Sequence, residues 1–584
     1  MAGPVHSILA EVRRLNARVV ATGRSFGAAF STVLVGTWSP RGAMFEVVPR
    51  DMRTTDPTRA DEIMQGYFAL AGRMVELDGR ELFAITPPTD AFAKELHSFD
   101  WLRHLRAVNG YSTDPSRSAA AAAQARSYIL NWIATRSSHP GLVRTPQIAA
   151  CRALNLTNHA AFLLDSADPP TYRAIMTAII GDIRFAFTHR SLVNDPTDCC
   201  KLVLACISVA HALVEHIGVK TKTLEALAGA LADAIHRDGG PVTRRLGDLP
   251  TLLAQLLSLR ALLETRGMAV PVRLTQTIDA SMRMLRMVRH RDGSVARFHG
   301  TRSLARLESD LISSILTYDT ERGHLPVFAR NTGYTRLEAA QSVVLVDCAG
   351  PPKGTASREA HAAALAFEWS HGSERIISNA VEIGQPVGTD IFQQRQTGAQ
   401  STLCVQGLSS ASFQGTQDDA ELLAGGLQVA LAKAETGADR NLSGRHTGYR
   451  AKFGVDHERS LSLQDDGRAL SGRDRLLLPT DKVATGGRNA FTLNFHLQPG
   501  LRAKQADART VHIATRQCLI LFEANAGSIT LINQADRLGY RGPRHAYQIV
   551  VTSEAALPAD ISWRFVVERT VDTSKQPTAQ EAVA

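Results

Sequence analysis

Residues 333–350 read GYTRLEAAQSVVLVDCAG, and here the apolar period of the chain becomes two. The same alternation continues through SERIISNAVE, STLCVQG, YRAKFGVDHERSLSL, NAFTLNFHL, TVHIATRQCLILFEA, GSITLINQ and YQIVVT, with Gly, Asp and Asn turns between them. Such runs are half-buried strands. LSLQDDGRALSGRDRL adds a hairpin with an Asp-Gly turn. This is enough strand for a large two-sheet β-sandwich.

Upstream of this point the period is helical. ARSYILNWIATR, TYRAIMTAIIGDIRFAF, KLVLACISVAHALVEHI, LEALAGALADAIH, LPTLLAQLLSLRALLETRG and IDASMRMLRMVRHR place apolar residues at i, i+3, i+4 and i+7. The breakers SADPP, NDPTD, DGGP and RDG separate several of them. Stacked antiparallel helices satisfy this pattern, either as a solenoid or closed into an α/α toroid. An all-α half followed by an all-β half implies two domains with a cleft between them.

The 584 residues are ample for two or more domains. No apolar run approaches the roughly 20 residues that span a bilayer. MAGPVHSILAEVRRLNARVV has no h-region, so the cytoplasm is expected, with the periplasm as alternative. Seven cysteines show no CxxC spacing and read as buried free thiols. The net charge of +9 suits an anionic partner. The arginines are scattered and no basic stripe interleaves with aromatics, which argues against nucleic acid.

Several motifs stand in a characteristic order: RDGG (237–240), RDGSVARFHG (291–300), GYTRLEA (333–339), EAHAAALAFEW (359–369), GAQSTLCVQG (398–407) and HTGYRAKFGVDHERSLSL (446–463). SGRDRL and FTLNFHLQPG follow. Together they make the chain resemble the heparinase II/III family, from about LHSFDWLRHLRA (96–107) to about GPRHAYQIVV (542–551). The resemblance implies an N-terminal α/α toroid followed by an antiparallel β-sandwich. The expected division is a leading segment at 1–95, a toroid at 96–330, a sandwich at 331–572 and a disordered tail at 573–584.

The resemblance further implies a polysaccharide lyase that cleaves a uronate-containing glycan by β-elimination. That reaction needs the uronate carboxylate neutralised, a base for the C5 proton and an acid for the leaving oxygen. His361 matches a family histidine on the first long strand of the sandwich and is the candidate proton donor or zinc ligand. The family's His-x-His-x-Asp is reduced here, because Glu359 and Ala363 flank it. Gln400 stands where the family has histidine; it can bind substrate but is a poor zinc ligand. Pro241 and Asp248 occupy the positions compared with the family's histidine and tyrosine after RDGG, and no Asn-His pair is assigned to carboxylate neutralisation.

From the residues themselves, Tyr449 is the candidate base, with a buried sandwich tyrosine as the alternative. Arg395 is the candidate carboxylate clamp, because guanidinium matches carboxylate bidentately. Arg152, Asn155 and His159 share one helical face, and Arg244 and Arg245 follow DGGP; these are candidate substrate-binding residues, with an exposed face as alternative for the stripe. Two functions are carried forward: an active lyase with no required cofactor beyond a possible sandwich zinc, or a catalytically impaired lyase-fold protein that binds acidic glycan or envelope polysaccharide without cleaving it.

Overall fold

The computed structural model describes residues 43–570, apart from 112–113, 136–140, 215–219, 302–304, 320–324, 380–390, 416–419, 424, 433–439, 480–487, 540–541 and 557. The expected polar tail at 573–584 lies outside the described residues.

The first half is helical: α1 (Pro57–Met64), α2 (Asp90–Ser98), α3 (Leu102–Tyr111), α4 (Pro115–Thr135), α5 (Pro146–Asn158), α6 (Ala160–Leu164), α7 (Pro169–Thr188), α8 (Pro196–Ala212), α9 (Lys220–Ala234), α10 (Asp248–Thr265), α11 (Val272–Met287) and α12 (Ala305–Leu316). The Asp-Pro breakers are helix starts. Asp168 caps α7 by accepting from Thr171 N–H, and Asp195 caps α8 by accepting from Thr197 and Asp198 N–H, each with proline in the first turn. The start of the domain meets its end: Arg50 donates to Tyr318 OH (2.8 Å), and Ser258 Oγ donates to the Arg50 carbonyl (2.9 Å). This contact favours a closed toroid over an open solenoid. A short hairpin, β1 (Tyr67–Leu70) with β2 (Arg73–Glu76), interrupts the early helices. It was not legible in the sequence.

The second half holds β3 (Phe328–Ala329), β4 (Tyr334–Ala339), β5 (Ser342–Asp347), β6 (Phe367–His371), β7 (Glu374–Ser378), β8 (Leu403–Val405), β9 (Ser412–Gln414), β10 (Glu421–Leu423), β11 (Val429–Leu431) and β12 (Asn441–His446). There follow β13 (Asp456–Leu463), β14 (Ala469–Leu477), β15 (Arg488–Leu497), β16 (Arg502–Asp507), β17 (Thr510–Ala514), β18 (Cys518–Ala524), β19 (Ser528–Gly539), β20 (Gly542–Ala556) and β21 (Ala559–Thr570). Two large antiparallel sheets form. One has the order β11-β12-β13-β14-β21-β18-β17-β16; the other runs β19-β20-β15-β7-β6-β5-β4-β3, with β8 added on β15. The Asp-Gly hairpin joins β13 to β14, with Gly467 at φ +68°.

The second sheet is covered on both faces, which explains why every residue of β5 is buried. Val344 and Val346 join the core between the sheets, whereas Val343 and Leu345 join the core of the helical half. Polar residues on the outer face meet the helices. Arg336 donates to the carbonyls of Met287 (3.0 Å) and Arg289 (2.8 Å), and His290 lies between Ser370 Oγ (2.9 Å) and Glu368 (3.1 Å).

The two RDG motifs are one turn used twice. After α9, His236 N–H donates to Gly240 O and Val242 N–H to Ala234 O; after α11, His290 N–H donates to Ser294 O and Ala296 N–H to Val288 O. Gly239 and Gly293 both sit at φ +89°. Each turn grips the sandwich. Asp238 accepts from the N–H groups of Asn331 and Thr332 (both 2.8 Å). Ser294 Oγ and Val295 O accept from Arg375 (2.7 and 3.0 Å).

Candidate functional site

His361 does not lie on a strand. It sits in an irregular segment between β5 and β6, where Leu365 has φ +59° and Ala362 N–H donates to Arg395 O (2.8 Å). The alanines permit this because they bring backbone close to backbone without side chains to displace. His361 is buried, and its ring is held from two sides. Gly300 N–H donates to Nε2 (3.1 Å), while His361's own N–H donates to His299 Nδ1 (3.1 Å). His299 Nε2 in turn lies 2.7 Å from Asp347 Oδ2.

These contacts fix both rings as neutral tautomers. A ring nitrogen that accepts from a backbone N–H has no proton, so His361 carries its proton on Nδ1 and His299 on Nε2. Burial, then His299 and Arg395, pull His361 down to about 3. Burial also lowers His299. Neither ring can exchange protons near neutral pH without breaking its backbone bond. Neither does His361 offer a free lone pair to zinc: one nitrogen is occupied and the other protonated. Among the described residues no three His, Cys, Asp or Glu side chains are grouped to hold a metal. The residues at His361 therefore do not fit a zinc site.

Gln400 is brought beside His361, where it interacts with the ring. Its Nε2 donates to Gln394 O (2.6 Å). Gln400 Oε1 and His361 Nδ1 are both buried, and neither makes a well-formed hydrogen bond. Arg395 is close by but faces backbone. It donates to the carbonyls of Ala360 (2.9 Å), Ser357 (3.1 Å) and Ala420 (2.8 Å), and its guanidinium lies over Phe413. That arrangement ties loops together and leaves no fork for a carboxylate. Tyr449 belongs to the sandwich core, where its OH donates to Leu403 O (3.0 Å). Burial raises its phenol well above the ordinary range, the opposite of what a base requires.

Arg244 is a bolt between the domains rather than a ligand for polyanions. It is buried and donates to the carbonyls of Thr332 (2.7 Å) and Gly350 (2.8 Å), and it pairs with Asp347. Tyr334 OH donates to the Arg244 carbonyl (2.7 Å). Arg245 is paired with Asp195 (3.0 Å), Asp248 (2.7 Å) and Glu359 (3.4 Å).

The helical stripe forms a second, separate cluster. Arg152 makes a bidentate pair with Asp182 (2.7 and 2.8 Å) and stacks on Trp132 at 4.1 Å. Asn155 donates to Ser98 O (2.8 Å) and accepts from Arg53 (2.6 Å). Arg53 also engages Asp51 and Asp100, so a segment before α1 supplies the cation that covers this stripe. His159 lies 3.6 Å from Asp51, and burial lowers it to about 4. Neither of its nitrogens has a hydrogen-bond partner, and the Oδ1 of Asn158 beside it is also unpartnered. Asn158-His159 is thus an Asn-His pair among buried polar groups, adjacent in sequence and unassigned by the reading above.

A third polar cluster lies inside the sandwich. Gly448 N–H donates to His446 Nδ1 (3.1 Å), so His446 Nε2–H donates to His457 Nδ1 (3.0 Å), and His457 Nε2–H donates to Asp474 (2.6 Å). Arg459 (2.8 Å) and Trp563 Nε1 (2.7 Å) complete the carboxylate's partners. All four polar groups are buried, and the chain of donors ends on the carboxylate without reaching solvent.

A helical domain is thus bolted to a two-sheet sandwich, with the neutral histidines His299 and His361 at the seam. Residues 321–564 match the heparinase II/III-like C-terminal family model. This second half of the chain is a heparinase II/III-like C-terminal domain. The fold of the chain is similar to the crystal structure of heparinase III, with TM-score 0.63 and 14% identity over 96% of this chain and 92% of that one. Heparan sulfate lyase HepC from Pedobacter heparinus gives TM-score 0.53 and 14% identity, over 97% and 91%. In sequence the chain is 27% identical over 548 residues to FtsZ-localized protein C of Caulobacter vibrioides, covering 90% of each.

Proposed function

We propose that this chain is a non-cleaving member of the lyase fold that binds an acidic polysaccharide. The observation that carries the reading is the His299–His361 interlock, in which both imidazoles accept a backbone N–H and stand neutral and enclosed. Gln400 in place of a second proton carrier supports it, as do Tyr449 and Arg395, both fully engaged by backbone carbonyls. The test is incubation with heparan sulfate, chondroitin, alginate and bacterial exopolysaccharide, following the ultraviolet absorbance of unsaturated uronate. A flat trace with retention on one polymer is expected. A rise abolished by His361→Ala would overturn the proposal and restore the active-lyase reading.

The similarity over nine-tenths of both chains to a protein named for its localisation with FtsZ favours a second, compatible reading: this chain also localises with FtsZ. A fluorescent fusion imaged with FtsZ checks it, and a distribution independent of FtsZ refutes it.

A further inference from the structure

We propose that a cavity at the edge of the seam between the two domains is a binding site for an anionic sugar unit. The identity of the ligand rests on the acidic-polymer reading; the existence of the site does not. The cavity has a volume of about 300 Å³, the lower end of small-ligand sites. One wall is helical, with Arg237 from the first RDG turn and Arg283, Met284 and Met287 from α11; the other is the segment carrying Phe328 and Arg330 at the sheet edge.

Three arginine residues from three separate chain segments line one small space, and Arg283 is already engaged within the chain. Like charges brought together repel, and an anion between them removes that cost. Arg237 and Arg330 have no hydrogen-bond or ion-pair partner among the described residues. The carboxylate in the cavity does not neutralise them. Asp238 is turned to the N–H groups of Asn331 and Thr332 (both 2.8 Å), the Thr332 hydroxyl (2.6 Å) and Gly240 N–H (3.3 Å). Guanidinium forks match the planar oxygens of a carboxylate or the face of a sulfate. Phe328 is among the few large apolar side chains left exposed, at 36%. It supplies the apolar surface on which a sugar ring can rest. A bare inorganic anion would use the arginines and leave that surface empty.

The test is calorimetric titration of the full chain with a glucuronate-containing disaccharide, a neutral disaccharide and inorganic sulfate. Arg237→Ala and Arg330→Ala are suitable variants because both residues are exposed, and circular dichroism confirms that they fold. Arg516→Ala, in the exposed turn before β18, is the control. The expected result is binding of the anionic disaccharide alone among the sugars, weakened by about tenfold or more in each variant, the loss of one charge-assisted hydrogen bond. Phe328→Ala should weaken the disaccharide and leave sulfate unchanged. Equal affinity in the Arg237→Ala/Arg330→Ala double variant, no heat with the anionic disaccharide, or sulfate binding as tightly as the disaccharide would each overturn the proposal. Polymer retention by the double variant would remove this site and leave the acidic-polymer reading intact. Polymer ignored by the wild type would remove that reading, and the disaccharide titration then judges the cavity alone.

Discussion

Asp347→Ala should be among the most damaging single substitutions at the seam. The Asp347 carboxylate is fully buried and takes Arg244 Nη2, His299 Nε2 and the Ala349 N–H (3.3 Å). Without it, the Arg244 guanidinium stays enclosed with only the carbonyls of Thr332, Ala349 and Gly350 as partners. Burial opposes the charge on Arg244, and Asp347 is the largest influence that sustains it. Removing one member of a buried pair costs about 3–5 kcal/mol, mostly as the penalty of the charge left behind. Urea unfolding followed by circular dichroism reads this as a lower midpoint at unchanged slope. The double variant Arg244→Met/Asp347→Leu should recover most of the loss, because apolar replacements carry no desolvation penalty. A loss under ~1 kcal/mol, the range of exposed pairs, would refute the reasoning, as would a double variant no more stable than the single.

Stability should decline in mild acid. His361 and His104 are pulled to about 3, and His159, His211 and His290 to about 4, from an ordinary 6.5, in each case first by burial. The unfolded chain binds these protons below pH 6.5 and the folded chain does not. Their effect is absent above that pH and grows as pH falls toward 4, at up to ~1.4 kcal/mol per pH unit for each ring. Thermal midpoints measured from pH 7 down to 5 check this, and a flat profile contradicts it. Tyr449→Phe should cost about 1 kcal/mol, the worth of its bond to Leu403 O, and leave polymer binding unchanged; loss of binding in a folded variant would return Tyr449 to the site. Gly239→Ala should destabilise by at least ~2 kcal/mol, since a Cβ there would fall 2.1 Å from the Ala280 carbonyl oxygen at φ +89°. A denaturation midpoint equal to wild type would show that the turn can relax.

The fold was legible because its two halves differ in apolar period, a property of neighbouring residues. What escaped the sequence was set by distant partners. Arg336, Glu368 and Arg375 look like the solvent face of strands, but their partners are Met287 at the end of α11 and Arg289, His290 and Ser294 in the turn after it. The position of His361 was read from its motif, whereas its role depends on which nitrogen holds the proton. That is decided by Gly300, sixty-one residues away. Tyr449 and Arg395 carried the residue types that the chemistry needs, and only burial and carbonyl partners show them engaged in packing. The Asn158-His159 pair was visible as letters; what sets it apart is the unpartnered state of its buried atoms.

The doubled RDG turn has a mechanical consequence. A body mounted at one point can swivel, whereas one mounted at two points cannot. The first turn holds the link between β3 and β4, and the second holds β6 and β7, so the sheet is pinned at separate places along one face. Any ligand approaching this face therefore meets a wall of fixed curvature. On the acidic-polymer proposal, tight retention comes from repeated contacts along the polymer's length.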